Sequence, residues 1–305
     1  MLEKLHIENY RCLEKVDLEF TPLTVLVGPN GSGKSSLLNV LRSTFPLSPR
    51  DTWRWGGGNI RRSGCFRRQQ FIHDSAGHGQ FKNDWRSAHL HLAPQALRQT
   101  CQVTPAHSLN EDGGNLANVL ATLPRKRMAE LAARYCELIP LYQDVDVRPT
   151  QTSGHHGVVW QDRWSSVWLE PENVSDGSLV LLALLTLGYL EQQPDILTIE
   201  EPEHTLHPFL IGEVVRMLRQ LAEGKLGPNP VQVVVATHSV QVLEFLNPEE
   251  VRFVSRSTED GSTRVEPAPT HSESWQAAFE DYEHSLGEMW MSGSLGGVPA
   301  LPPER

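Results

Sequence analysis

Three short stretches of this 305-residue chain hold residue types and spacings that could handle phosphate groups. The first is Gly28-Pro29-Asn30-Gly31-Ser32-Gly33-Lys34-Ser35, which fits G-x-x-x-x-G-K-[ST] at every fixed position. Glycines let the backbone curl so that successive N–H groups converge on an anion. A helix N-terminus behind the loop adds partial positive charge. Lys34 can reach terminal phosphates and the Ser35 hydroxyl can ligate Mg²⁺. The second stretch is Glu200-Glu201-Pro202, which follows the apolar run Ile196-Leu197-Thr198-Ile199. A carboxylate at the end of a buried parallel strand faces the crevice where a ligand lies. Glu200 is placed to hold the Mg²⁺ hydration shell, and Glu201 to orient or deprotonate an attacking water. The third is Thr237-His238-Ser239, after Val231 to Ala236. An imidazole there can donate to a γ-phosphate.

These residues need particular elements to hold them. Leu23 to Val27 is a short apolar run that reads as a buried strand before the glycine loop. Leu37, Leu38, Val40 and Leu41 have helical spacing after it. Leu2 to Ile7 and Val16 to Phe20 alternate like strands, with Glu8 to Leu13 read as a polar link. Asn115 to Leu123 and Arg125 to Leu138 read as helices. Val145 to Arg148, Gly157 to Gln161 and Val167 to Leu169 read as short strands. Ser175 is placed as the N-cap of an apolar helix from about Gly177 to Leu190. Pro208 opens another, to about Glu223. Val251 to Ser255 and Thr263 to Val265 are expected as strands, and Ser274 to His284 as a helix. Phe45 to Ala88 shows no sustained period, so loop or disorder is expected there. Ala88-His89-Leu90-His91-Leu92 alternates, and its two histidines are expected on the polar face of a strand as surface residues.

Composition narrows the classes. With 39% apolar residues the chain can build a core. No run approaches the length of a membrane helix and the N-terminus has no signal-peptide core. Cys12, Cys65, Cys101 and Cys136 are scattered, without zinc or disulfide spacing. A soluble, cytoplasmic protein without a membrane partner is the expectation. A net charge of −10 argues against general adhesion to nucleic acid. The charge is uneven, however: Arg42 to Arg68 holds seven arginines, and Val265 to Glu304 holds no Lys or Arg. The arginines interleave with Trp53 and Trp55, so that stretch could either stack on nucleic acid or pack as a surface segment.

Gly28–Ser35, Val174-Ser175-Asp176-Gly177-Ser178, Ile196–Glu201 and Thr237–Ser239 occur in the order of ABC-type ATPase heads. The opening Leu5-His6-Ile7-Glu8-Asn9-Tyr10-Arg11 and the run Glu201-Pro202-Glu203-His204-Thr205-Leu206-His207-Pro208 resemble the soluble RecF, SMC and OLD branch of these heads. The fold this resemblance implies is α/β: a P-loop NTPase with a mostly parallel core sheet flanked by helices, antiparallel N-terminal strands and a helical signature subdomain. The implied organisation is a single head over 1–305. A helical and β lobe is inserted over 93–174, and an acidic, aromatic tail covers 270–305.

The resemblance further implies an ATPase. ATP and Mg²⁺ are its cofactors, and Asn30, Gly31, Ser32, Gly33, Lys34, Ser35 and Ser36 line the nucleotide. Ser35 and Glu200 serve the metal; Lys34, Glu201 and His238 serve catalysis. Two copies would close head to tail around ATP, with Ser175 and Gly177 of one copy meeting the nucleotide of the other. Asp176, Ser178 and Leu179 depart from the transporter signature, and no glutamine is assigned to the Q-loop; Gln69, Gln70 and Gln80 are candidates. The chain between the loop and Ser175 is broken by prolines, so it holds no long coiled coil, and the stretch after His238 is shorter than a Toprim domain. The function implied is an ATP-driven switch controlling a separate nuclease or toxin in anti-phage defence. The alternative is a RecF-like ATPase that binds DNA directly. Trp275, Phe279 and Tyr282 share one helix face in the tail, which either docks the partner or packs on its own head.

Overall fold

The computed structural model describes the backbone of residues 1–44, 53–55, 58–64, 69–73, 79–83 and 86–293, and the side chains of 1–42 and 86–293. In chain order the elements begin with β1 (Leu2–Tyr10), β2 (Leu13–Glu19), β3 (Leu23–Val27), α1 (Lys34–Thr44), β4 (Trp53–Trp55), β5 (Gly58–Gly64), β6 (Gln69–His73) and β7 (Gly79–Asn83). Next come β8 (Ser87–Leu90), α2 (Pro94–Leu97), β9 (Cys101–Gln102), α3 (Leu116–Thr122), α4 (Arg125–Leu138), β10 (Tyr142–Pro149), β11 (His155–Asp162), β12 (Trp168–Leu169), α5 (Asp176–Thr186), β13 (Ile196–Glu200) and α6 (Pro208–Ala222). The chain finishes with β14 (Gln232–Thr237), α7 (Val240–Leu243), β15 (Val251–Arg256), β16 (Thr263–Pro267), α8 (Glu273–Asp281) and α9 (Leu286–Met291). These form two compact units, one of residues 1–87 with 232–305 and one of residues 88–231.

The first unit is built on β3. Its five residues are all buried, as are the six of β14, which is what a strand covered on both faces requires. β14 and β15 flank β3 and both run parallel to it, while β16 lies antiparallel on the outer edge of β15. A second sheet has the order β2-β1-β5-β4. β1 and β2 are antiparallel, as expected, but β1 runs on to Tyr10 where a polar link was read. The cause is Asn9, whose φ of 53° breaks the alternation and turns Tyr10 inward. The hairpin is also held from outside: His6 Nδ1 lies 2.8 Å from Asp17 Oδ1 and its Nε2 3.1 Å from Glu8 Oε1. Hydrogen bonding to the two carboxylates raises the His6 pKa above its ordinary value.

The reading of 45–88 as loop is corrected for the residues described there. β5 pairs with β1 and β4, and β6 with β7, all antiparallel. Backbone pairing holds these strands although their sequence carries no clean period. The arginine and tryptophan side chains between 45 and 85, Cys65, and those of Gln69, Gln70 and Gln80, lie outside the described residues, as does the backbone of 294–305. At the other end of the unit, Trp275 and Trp290 are buried. Trp275 stacks on Phe279 with ring centroids 4.8 Å apart. A Cβ on Gly287 would stand 2.1 Å from Glu244 Oε1, so α9 lies hard against the end of α7. The described part of the tail therefore packs on its own unit.

In the second unit β13 lies beside β8. A separate antiparallel sheet has the order β10-β11-β12, with β9 also on β11. α5 is apolar on every side, so nine of its residues are buried. Tyr135 of α4 fixes that helix in place. Its hydroxyl donates to Ser178 O at 3.2 Å and accepts from Trp160 Nε1 at 3.1 Å. Burial pushes its phenol far above the ordinary pKa. Among the described residues no helix is long and apolar enough to cross a membrane.

Candidate nucleotide site

The glycine loop joins β3 to α1, and three of its glycines have a demonstrable reason to be glycine. A Cβ on Gly28 would stand 2.0 Å from the backbone oxygen of Val254 in β15. Gly31 and Gly33 have φ of 78° and 112°, a region where a side chain is strained. A Cβ on Gly33 would also meet Thr263 Oγ1 at 2.4 Å. The loop closes on itself through Ser32 N–H to Pro29 O at 3.2 Å. Lys34 is buried, and its ammonium donates to Gly28 O at 2.7 Å and Pro29 O at 2.9 Å.

Residues from elsewhere buttress the loop. Thr263 Oγ1 donates to Ser32 O at 2.8 Å, and the Thr263 N–H donates to Cys12 O at 2.9 Å. Arg256 Nη1 reaches Gly31 O at 3.4 Å. Sequence reasoning missed Cys12, Val254, Arg256 and Thr263; no local spacing ties them to the loop. The buried Ser32 hydroxyl has no partner among the described residues. An unsatisfied buried hydroxyl in a glycine loop at a helix start is a place for an anion's oxygens. The donor set therefore fits a nucleotide's phosphates. Asn30, Gly31 and Ser35 are exposed, and Ser36 is half-buried beside Cys12 Sγ at 3.7 Å.

His238 belongs to the same unit. β14 pairs with β3 in parallel so that Thr237 stands opposite Val27. The chain thus leaves both strands at one end of the sheet, as the glycine loop from one and as His238 from the other. His238 is exposed, and the Ser239 N–H donates to Thr237 Oγ1 at 2.9 Å.

The second unit carries Glu200, Glu201, Ser175 and Gly177. Glu200 ends β13 and is half-buried. Glu201 has a φ of 46°, a left-handed conformation that costs a non-glycine residue about 1–3 kcal/mol. That strain sits on a residue singled out for chemistry, and the His204 N–H holds its carbonyl at 3.0 Å. His91, expected to be a surface residue, comes to 3.4 Å from Glu200 through its Nδ1. Nδ1 of His89 likewise lies 2.5 Å from Thr198 Oγ1, so both histidines address β13.

Ser175 caps α5. Its Oγ accepts from the Ser178 N–H at 3.2 Å, and the residue is exposed. Gly177 has a steric reason of its own, since a Cβ there would stand 2.5 Å from Thr205 O. Arg98, just beyond α2, grips the start of the helix. It donates to Asp176 Oδ1 at 2.6 Å and to Val174 O at 2.7 Å. This explains an aspartate at 176, and it was not readable from the sequence. Each unit thus gathers its own site residues: Lys34, Ser35 and His238 in one, Ser175, Gly177, Glu200 and Glu201 in the other.

Comparison with known proteins places this geometry. A family model described as "AAA domain, putative AbiEii toxin, Type IV TA system" matches residues 56–244, and one described as "AAA ATPase domain" matches 1–75. An OLD nuclease of Thermus scotoductus is 51% identical over 41 residues, 13% of this chain and 8% of the nuclease. Among solved structures, an SMC head bound to the C-terminal winged-helix domain of ScpA aligns at TM-score 0.55 with 14% identity, covering 88% of this chain and 98% of that one. An Smc head with an extended coiled coil, bound to the C-terminal domain of ScpA from Pyrococcus furiosus, aligns at TM-score 0.53 with 11% identity over 92% and 99%. The chain belongs to this family of AAA ATPase domains, and its fold is that of the ABC-type ATPase heads, a mostly parallel sheet flanked by helices with antiparallel strands at the N-terminus.

Proposed function

We propose that this chain is an ATP-hydrolysing switch that closes as a dimer around ATP and controls a separate effector protein. The observation that carries the reading is the glycine loop: a cradle with glycines at the points of closest approach, a buried lysine and an unsatisfied buried hydroxyl. In this reading Asn30 to Ser36 hold the phosphates, and Lys34 exchanges its carbonyl partners for phosphate oxygens. Ser35 and Glu200 are assigned to Mg²⁺, which supplies charge neutralisation along the phosphates when bound. Glu201 orients the attacking water and accepts its proton. His238 donates to the terminal phosphate. Ser175 and Gly177 of the second copy present the first turn of α5 to the same anion. The exposure of Ser175 supports that role.

For ATP to move the population from 1:99 to 99:1 in favour of the closed dimer, it must favour that state by about 5.5 kcal/mol. Two nucleotides at one interface, each held by charge-assisted hydrogen bonds of about 1.5–3 kcal/mol apiece, reach that figure. A nuclease or toxin as effector is supported by the toxin–antitoxin description of the family and by the OLD nuclease match. The ScpA domains seen on SMC heads support the idea that a head of this fold docks a separate protein. A cytoplasmic role in anti-phage defence follows from that effector. The seven arginines between Arg42 and Arg68 favour a second reading, a RecF-like ATPase that binds DNA directly. A steep fall of DNA affinity with salt would support it.

Light scattering tests the main reading. Glu201→Gln should retain ATP and run as a dimer, and Lys34→Ala should neither bind ATP nor dimerise. A Glu201→Gln protein that holds ATP and stays monomeric refutes the dimer.

A further inference from the structure

β8 and the residue after it send two imidazoles to the strand that ends in Glu200. His89 is fixed on Thr198, two residues before the acid. His91 Nδ1 lies 3.4 Å from Glu200 Oε2, and the His91 N–H donates to Glu111 O at 2.8 Å, which anchors the backbone under the ring. The imidazole is 62% exposed and the carboxylate 29%. Both groups are thus open to something arriving from outside. Two ligand atoms each about 2.1 Å from one six-coordinate cation stand about 3 Å apart. The observed separation is a small side-chain adjustment away from that.

As a surface ion pair this contact would contribute little, and the position of His91 beside the end of the strand carrying the acids would be an accident. Among the described residues no group of three or more His, Cys, Asp or Glu side chains gathers as a metal site. The pair therefore needs oxygens from a ligand to complete a coordination shell.

We infer that His91 joins Glu200 as a ligand of the divalent cation that enters with the nucleotide, and that its imidazole favours Mn²⁺ over Mg²⁺ at this site. The inference rests on the nucleotide reading above and deepens it. Mg²⁺ takes oxygen donors and keeps its waters, whereas an imidazole nitrogen suits first-row transition cations. One nitrogen and one carboxylate oxygen, with the remainder from phosphate and water, is a shell that Mn²⁺ accepts more readily.

Electron spin-echo envelope modulation on the full chain loaded with Mn²⁺ and ADP reads the ligand nitrogen without reference to turnover. Wild type should show nitrogen modulation from a directly bound imidazole. His91→Ala and His91→Gln should lose it while circular dichroism stays native, and His107→Ala, at an exposed histidine elsewhere in the same unit, should keep it. In the same samples His91→Ala should weaken Mn²⁺ binding about tenfold or more, with Mg²⁺ binding shifted much less. Bound Mn²⁺–ADP without nitrogen modulation in wild type, or modulation that survives in His91→Ala, overturns the inference and leaves the nucleotide reading standing. A wild-type chain that retains no nucleotide overturns both. His91 is exposed, so its removal opens no cavity. Should His91→Ala nevertheless fail to fold, the wild-type spectrum and His91→Gln decide the matter.

Discussion

Gly28→Ala and Gly31→Ala differ by a single methyl at neighbouring points of one loop, yet the structure assigns them different costs. At position 28 the methyl would stand 2.0 Å from Val254 O, where ordinary contact begins near 3.4 Å. The overlap is about 1.4 Å and it is with backbone, so no side chain can swing aside. Val254 is also held in place, for β15 is paired with β3 on one side and β16 on the other. Relief must come from moving the loop or splitting the sheet. Overpacking of this kind costs about 1–3 kcal/mol when side chains can shift, and Gly28→Ala should lie at or above the top of that range. At position 31 the methyl meets nothing within 4 Å, and the only cost is the φ of 78°, about 1–2 kcal/mol. Urea unfolding of both variants beside wild type reads the difference as the shift of midpoint at unchanged slope. Gly28→Ala should shift at least twice as far as Gly31→Ala. Equal shifts, or a larger one for Gly31→Ala, would refute the steric argument and with it the close approach of β15 to the loop.

Further outcomes follow from other contacts. Arg98→Ala removes two donors from the start of α5, leaving Val174 O and Asp176 without them. Its half-exposed ion pair is discounted for solvent, and the charged bond to a backbone carbonyl sets the scale at about 1.5–3 kcal/mol. ATP-dependent dimerisation by light scattering should weaken about tenfold or more while ATP binding to the monomer is kept; an unchanged dimer would refute the role. His6→Ala should destabilise the β1–β2 hairpin only at low pH. The folded pKa of His6 is raised, so its contribution is complete below the unfolded value near 6.5 and is lost as pH rises through the folded value. Thermal midpoints should differ from wild type at pH 5.5 and converge by pH 9. Truncation after Ser272 should remove the buried Trp275, Met289 and Trp290 and expose the part of α7 against which α9 packs, giving aggregation rather than a soluble remnant in size-exclusion chromatography.

What could be read from sequence was local. The glycine loop, the acids after Ile199 and the histidine after Thr237 sit at fixed offsets from apolar runs, and a strand-end position is defined by a few consecutive residues. The buttresses were illegible for the converse reason. Thr263 and Val254 reach the loop from more than two hundred residues away in the chain, and only the fold brings them near. His91 was read as a surface residue and is exposed; its approach to Glu200 was illegible, because alternation assigns a face and does not name the neighbouring strand. Arg98 follows a helix of four residues, too short to show a period. The extension of β1 was hidden by Asn9, where left-handed backbone shifts the inward face by one residue. For 45–88, strands paired through backbone left no alternation to find.

The placement of β3 between β14 and β15 sets a timetable for synthesis. When Leu23 to Val27 leave the ribosome, neither strand that will flank them exists. Val235 and Phe253 follow only after some two hundred further residues, about 10–40 s at ordinary translation rates. Until then the glycine loop has no Val254 or Thr263 behind it. A nascent chain should gain its grip on nucleotide in one late step, as β15 and β16 emerge.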